Sequence, residues 1–113
     1  MNILLTGGAG YIGSHVALKL IEEGHQVFII DNLITGNENL IPQKALFLKC
    51  NINNKEKISN LLKNNKFDSV IHFAAFIKVE ESVKNPSKYF KNNRDNAIDF
   101  FETCFENKLK NFI

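Results

Sequence analysis

The chain has 113 residues, 44% of them apolar and 23% charged, and a net charge of +2 at neutral pH. That composition fits one folded domain that buries only about two-thirds of the surface its unfolded chain exposes, and it excludes a disordered or fibrous chain. Lysines and acids are interleaved, so nucleic acid finds no basic patch; no apolar run nears the ~20 residues that cross a bilayer, and the first residues lead straight into a strand rather than a secretion signal.

The opening stretch, Met1 to Gly13, carries the strongest signal. Asn2 to Leu5 is a short apolar run that stops at a glycine cluster, and a helical apolar pattern starts directly afterwards, which predicts strand, tight loop and helix. Gly7, Gly10 and Gly13 recur at a spacing of three, and Gly8 to Gly13 also fits G-x-G-x-x-G. The early glycine permits the turn off the strand, the middle one lets a pyrophosphate approach the backbone, and the last lets helix and strand pack closely. The anion then rests on the free N–H groups and positive dipole end of the helix that starts near Tyr11. Taken alone, such a loop is weak evidence, because glycine-rich turns without a ligand are common.

The context decides between these. Val16, Leu20 and Ile21 recur at helical spacing while Ser14, Lys19, Glu22 and Glu23 stay polar, and Gly24 closes the helix. The strand Val27 to Ile30 follows and ends on Asp31, about the ~20 residues beyond the glycines where a dinucleotide fingerprint places its acid. A carboxylate there accepts from both ribose hydroxyls of an adenosine and repels a 2′-phosphate, which favours NAD over NADP. His15 and His25 are assigned to the first helical turn and to an exposed turn, not to proton transfer.

Asn32 to Lys44, with Gly36 and Pro42, reads as a loop over the adenosine end, in which Thr35, Gly36 and Asn37 either bind ribose or phosphate or are simply solvated. Ala45 to Leu48 forms a third strand, and Asn51 and Ile52 at its carboxyl end are placed to meet adenine, one by its amide and one by packing. Lys55 to Asn64 is a second helix that buries Ile58, Leu61 and Leu62. Ser69 to Phe73 is a fourth strand, apolar enough to be buried on both faces, with His72 as a satisfied strand histidine. The small Ala74 and Ala75 leave room for a flat group. Pro86 opens a long helix whose apolar side runs through Phe90, Ala97, Phe101, Cys104 and Phe105. Asn92 and Asn93 lie in its opening turns, within reach of a nicotinamide ribose. Asn111 to Ile113 has the look of a fifth strand beginning. Cys50 and Cys104 lie far apart without zinc spacing and are read as small buried hydrophobes in a reducing cytoplasm. The sum is one doubly wound parallel α/β domain of Rossmann type, incomplete at its C-terminal end.

These segments resemble the extended short-chain dehydrogenase/reductases, and among them the UDP-glucose 4-epimerase family. Thr6 to His15, Asp31-Asn32-Leu33, Val70 to Ala75, Glu81-Ser82-Val83, Asn85-Pro86, Tyr89, Asn92-Asn93 and Lys110 to Ile113 carry the similarity. It covers the whole chain but only the N-terminal third of a typical member, so that residues 1–113 would be the first part of the NAD-binding domain with no substrate domain. The resemblance implies NAD as cofactor, a UDP-hexose as substrate, a homodimer, and an NAD site lined by Tyr11, Ile12, Asp31, Asn32, Leu33, Ile34, Thr35, Gly36, Asn51, Ile52, Phe73, Ala74, Ala75, Phe76, Ile77 and Asn93. Two positions depart from the family. Many members carry an aspartate where this chain has Asn51, and many carry a lysine where it has Ile77.

The resemblance also implies a tyrosine kept anionic by a lysine one helical turn away, removing the O4 proton while NAD takes a hydride from C4. Tyr11 is followed four residues later by His15 and Tyr89 by Asn93, so the Tyr-x-x-x-Lys pair is missing. The expectation is the NAD-binding portion of an epimerase that does not turn over by itself. The alternatives are a related 4,6-dehydratase or reductase, and a stand-alone NAD-binding module without chemistry.

Overall fold

The computed structural model describes residues 1–113, and its architecture follows from the alternation in the first strand. On β1 (Asn2–Thr6), Ile3 and Leu5 point to one face, where they meet Val27, Ile29 and Ala17. Leu4 points to the other, with Ile30, Ile58, Val70 and Phe100. A strand buried on both faces belongs at the centre of a parallel sheet. β1 accordingly pairs with β2 (Gln26–Asp31) on one side and β4 (Ser69–His72) on the other, with Leu4 opposite both Phe28 and Val70. β3 (Leu46–Lys49) extends the sheet beyond β2, and the order β3-β2-β1-β4 is parallel throughout.

Helix α1 (Tyr11–Glu22) covers one face; α2 (Lys55–Asn64) and α5 (Ala97–Glu106) cover the other. This is the doubly wound α/β arrangement of a Rossmann fold. β3 starts at Leu46 rather than Ala45 because the Ala45 N–H closes a turn onto the Pro42 carbonyl. Ser14, expected on the polar side of α1, is buried, its hydroxyl donating to the Tyr11 carbonyl at 3.0 Å.

After β4 the chain forms two short helices, α3 (Val79–Lys84) and α4 (Pro86–Phe90). A π-helical segment, Lys91–Asn96, then joins α4 to α5. The single long helix expected from Pro86 is therefore interrupted, and α3 was not expected at all. On α5 the buried stripe is Ala97, Phe100, Thr103 and Cys104, because this helix packs on α2 as well as on the sheet. Phe105, expected in the core, lies at the rim, 55% exposed, its ring tilted against Phe112 with centroids 5.2 Å apart. The stretch Asn111–Ile113 begins a further parallel pairing beside β4, with Phe112 bridged to Val70 and the His72 N–H donating to the Ile113 carbonyl at 3.0 Å.

Both cysteines are free and buried, as small hydrophobes would be, and burial pushes the Cys104 thiol up to about 12. No helix is long and apolar enough to cross a membrane.

Candidate functional site

The strand order reverses between β1 and β4, and in an open parallel sheet the crevice at such a point lies at the carboxyl edge. The glycine loop sits there. Gly7 has φ +71°, and a Cβ on it would stand 2.7 Å from the Ala74 nitrogen, so the loop is pressed onto the exit of β4. A Cβ on Gly13 would overlap the Gly7 carbonyl oxygen, so the first turn of α1 is packed equally tightly onto the loop. Gly10 meets only that carbonyl, at 3.3 Å, and is otherwise open. The first bond of the helix is Ser14 N–H to the Gly10 carbonyl at 3.0 Å. Tyr11 and Ile12 therefore present unpaired amides with no side-chain cap and no acid in the first turn, the surroundings that suit an anion.

Asp31 ends β2 one strand away, and its carboxylate is fastened to this loop. Oδ2 accepts from the Ala9 N–H at 3.0 Å and Oδ1 from the Leu33 N–H at 2.8 Å. Asn37 ties the loop back from the other side, its N–H donating to the Ala9 carbonyl at 2.9 Å. A Cβ on Gly36 would come within 2.9 Å of Asp31 Oδ1, so this glycine closes over the acid. Next to it, Asn32 Oδ1 accepts from the Ile34 N–H at 3.0 Å, while Asn32 Nδ2 donates to Asn51 Oδ1 at 3.0 Å. Ile52 is buried behind Asn51.

The β4 side forms the other wall. Thr6 Oγ1 and His72 Nδ1 are 2.6 Å apart beneath it, and burial holds the imidazole below its ordinary pKa. His72 is thus a satisfied strand residue. Phe76 is clamped from three directions. Its backbone N–H donates to Asn93 Oδ1 at 2.8 Å and its carbonyl accepts from Asn93 Nδ2 at 2.9 Å. Lys88 Nζ lies over its ring, 4.7 Å from the centroid, and the Tyr89 ring leans on it at 5.5 Å. Lys88 also pairs with Glu81, to which the Tyr89 hydroxyl donates at 3.1 Å. The bonds from Lys88 and then Tyr89 hold the Glu81 carboxyl below its usual range, while partial desolvation and the Glu81 charge push the Tyr89 phenol up.

Together these walls enclose a cleft of about 580 Å³, within the usual range for a small-molecule site. Gly7, Gly10, Tyr11, Ile12, Gly13, Asp31, Asn32, Ile34, Thr35, Gly36, Asn51, Ile52 and Phe73 to Ile77 all line it. Leu33 and Asn93 do not: the Leu33 amide is spent on Asp31, and both ends of the Asn93 amide on Phe76. Asn92 and Asn96 reach the cleft instead, and the wall of Lys78, Glu81, Lys88 and Tyr89 was missed. The only hint of that wall was an acid and a lysine seven residues apart across Pro86, which reads equally well as solvated charge. A smaller hollow between Leu62 and Leu109 has neither glycine loop nor acid.

A parallel sheet wound on both faces, with a glycine loop leaving its central strand and an acid ending the next, defines a Rossmann-type dinucleotide-binding domain. Sequence comparison narrows the class. The chain belongs to the NAD dependent epimerase/dehydratase family, whose profile matches residues 3–113. It is 40% identical over 110 residues to UDP-glucose 4-epimerase of Lactobacillus helveticus, covering 97% of this chain and 33% of that protein. The structure of UDP-glucose 4-epimerase with UDP-glucose from Thermotoga maritima matches with a TM-score of 0.93 at 38% identity, over 99% of this chain and 36% of that one. UDP-glucose 4-epimerase from Brucella ovis in complex with NAD gives 0.94 at 33% identity, over 98% of this chain and 34% of its own. The chain thus spans about a third of the length of these relatives.

Proposed function

We propose that residues 1–113 are the N-terminal part of the NAD-binding domain of a cytoplasmic, homodimeric UDP-hexose 4-epimerase. One observation carries this reading: the Asp31 carboxylate is bonded through the Ala9 N–H to the same loop that opens the Tyr11 and Ile12 amides. A phosphate-receptive surface and a ribose acceptor are thereby held in a fixed relation across the carboxyl edge of the sheet.

From that frame the remaining parts follow in strand order. Tyr11 and Ile12 take the diphosphate on their amides. Each Asp31 oxygen uses one lone pair on the backbone and keeps another for a ribose hydroxyl, and its charge repels a 2′-phosphate. Asn51 and Ile52 face the adenine, with Ile34, Thr35 and Gly36 over its ribose. Phe73 to Ile77 form the nicotinamide side, where Ala74 and Ala75 keep space open and Asn93 holds the Phe76 backbone in place. When bound, the nicotinamide supplies a hydride acceptor and donor for C4 of the hexose. The proton at O4 needs a base that these residues do not offer. Tyr89 is the phenol on that wall of the cleft, but it donates to Glu81 and is pushed up rather than down. Turnover therefore draws on groups outside these 113 residues, which by themselves bind but do not catalyse.

Calorimetric titration of the intact protein with NAD and NADP tests this. NAD should bind and NADP more weakly, and Asp31→Ala should weaken NAD. Equal affinity for the two, or no binding of either, would refute it.

A further inference from the structure

The wall made by α3 and α4 is held differently from the rest of the molecule. From Ile77 to Asn92 no residue is buried, and α3 packs on α4, and α4 on the π-helical segment, rather than on the sheet. The two ends of this stretch are tied to each other: Asn93 Oδ1 accepts from the Phe76 N–H at 2.8 Å and Asn93 Nδ2 donates to the Phe76 carbonyl at 2.9 Å. Residues 77–92 therefore leave and re-enter the fold through one neck. Within them the Glu81 carboxylate joins α3 to α4, accepting from the Lys88 ammonium and the Tyr89 hydroxyl, so the two short helices form one stitched piece. What lays that piece against the cleft is the hold of α4 on the Phe76 ring, with Lys88 Nζ 4.7 Å and the Tyr89 ring 5.5 Å from its centroid. Ile77, Lys78, Glu81, Lys88, Tyr89 and Asn92 then line the cleft.

A segment with no anchor in the core, a stitched body and a single neck stands at the low end of local stability and has the build of a hinged flap. We propose that residues 77–92 are a gate, which swings about the neck between Phe76 and Asn93 to admit and release the dinucleotide, and that the grip of α4 on Phe76 sets how often it opens. This rests on the dinucleotide-binding reading of the cleft. The grip is made between protein groups, so it must be broken for entry and for exit alike. Loosening it speeds both and drops out of their ratio, the Kd.

The test is stopped-flow fluorescence of NADH mixed with the intact protein, giving association and dissociation rate constants separately. Lys88→Met keeps the length of the side chain but takes the ammonium off the Phe76 ring, and Tyr89→Leu removes the ring contact from the other residue of the grip. Each should raise both rate constants about fivefold, the range of one cation–π or aromatic contact, while Kd stays within a factor of two. Lys88→Arg keeps a cation over the ring and should stay near the wild-type rates. Electrostatic steering cannot mimic this result, because removing a positive charge slows the approach of an anionic dinucleotide. Faster dissociation with unchanged association would make the segment a fixed wall that touches the ligand, and rates unmoved by both Lys88→Met and Tyr89→Leu would mean that the grip controls nothing. Either outcome overturns the gate while dinucleotide binding stands. Failure of the wild type to bind NADH or NAD overturns both.

Discussion

Asp31→Asn is the sharpest perturbation this structure suggests, because it changes one atom at the point where loop and acid are joined. The carboxylate has two accepting ends, one on the Ala9 N–H at 3.0 Å and one on the Leu33 N–H at 2.8 Å. A carboxamide has one accepting end, so its NH2 must face one of those N–H groups. Ala9 is fully buried, and orphaning its N–H costs the full desolvation penalty of about 1–3 kcal/mol with no water to relieve it. Leu33 is half-buried and water can replace the lost acceptor. The side chain should therefore keep its oxygen on Ala9 and turn its NH2 towards Leu33. One hydrogen bond to a charged group is lost, worth about 1.5–3 kcal/mol, and water returns part of it. Asp31 is only 9% exposed, so screening takes little from this figure. The expected loss is about 2 kcal/mol of unfolding free energy without ligand, against totals of about 5–15 kcal/mol for domains of this kind. Urea unfolding of wild type and variant at pH 7, with equal slopes, measures it as a shift in midpoint. A variant within about 0.5 kcal/mol of wild type would mean that water satisfies the Leu33 N–H as well as the carboxylate does, and the stabilising role given to the Asp31–Leu33 bond would fail.

Other expectations follow from single contacts. Gly13→Ala should lower the melting temperature and weaken NAD about tenfold or more, although a helix interior ordinarily gains about 1 kcal/mol from this change, because the new methyl overlaps the Gly7 carbonyl; a more stable variant would refute it. His72 has its folded pKa lowered from 6.5 by burial, so the unfolded chain takes up the proton first. Its contribution to stability is complete above 6.5 and declines as pH falls through that value, and His72→Gln should flatten the wild-type slope of urea midpoint between pH 7 and 5. Cys104, with its thiol at about 12 and no exposure, should resist iodoacetamide at pH 8 in the native protein and react promptly in urea. Prompt native labelling would contradict its burial.

What could be read from the residues, and what could not, divides along a physical line. β1, α1, β2 and α2 were legible because each is specified locally by an apolar period and its own ends. Helix α2 begins at Lys55 as expected because Asn54 caps it, accepting from the Lys57 N–H at 3.2 Å. The glycine loop and Asp31 were legible because backbone sterics and strand ends dictate those residue types at those places. Helix α3 was not: six residues, three of them charged, carry no apolar period. The wall of Glu81, Lys88 and Tyr89 was not either, since it exists only where the turn at Asn85-Pro86 folds two short helices against each other. Asn93 shows the limit most clearly. Its sequence position suggested a ligand contact, yet the π-helical segment on which it stands lets its amide grip the backbone of Phe76, seventeen residues earlier.

The bonds within the loop also determine where a diphosphate can sit. The Gly7 N–H is spent on the Ile30 carbonyl at 2.9 Å, the Gly10 N–H on the Gly7 carbonyl at 3.1 Å, and the Ala9 N–H on Asp31 at 3.0 Å. Gly8 is buried away from the cleft, where a Cβ would strike the Ile29 side chain. For the proposed diphosphate the free donors therefore lie not inside the glycine loop but one step beyond it, at the start of α1. There the amide dipoles of the helix add to the two N–H groups, equivalent to roughly half a positive charge. That is enough to explain why no lysine or arginine is found in the loop. The Asp31 charge can stand one strand away because two amides already answer it. Replacing Asp31 by alanine would remove both amide contacts at once, whereas Ile77 on the cleft wall is 85% exposed and makes no hydrogen bond.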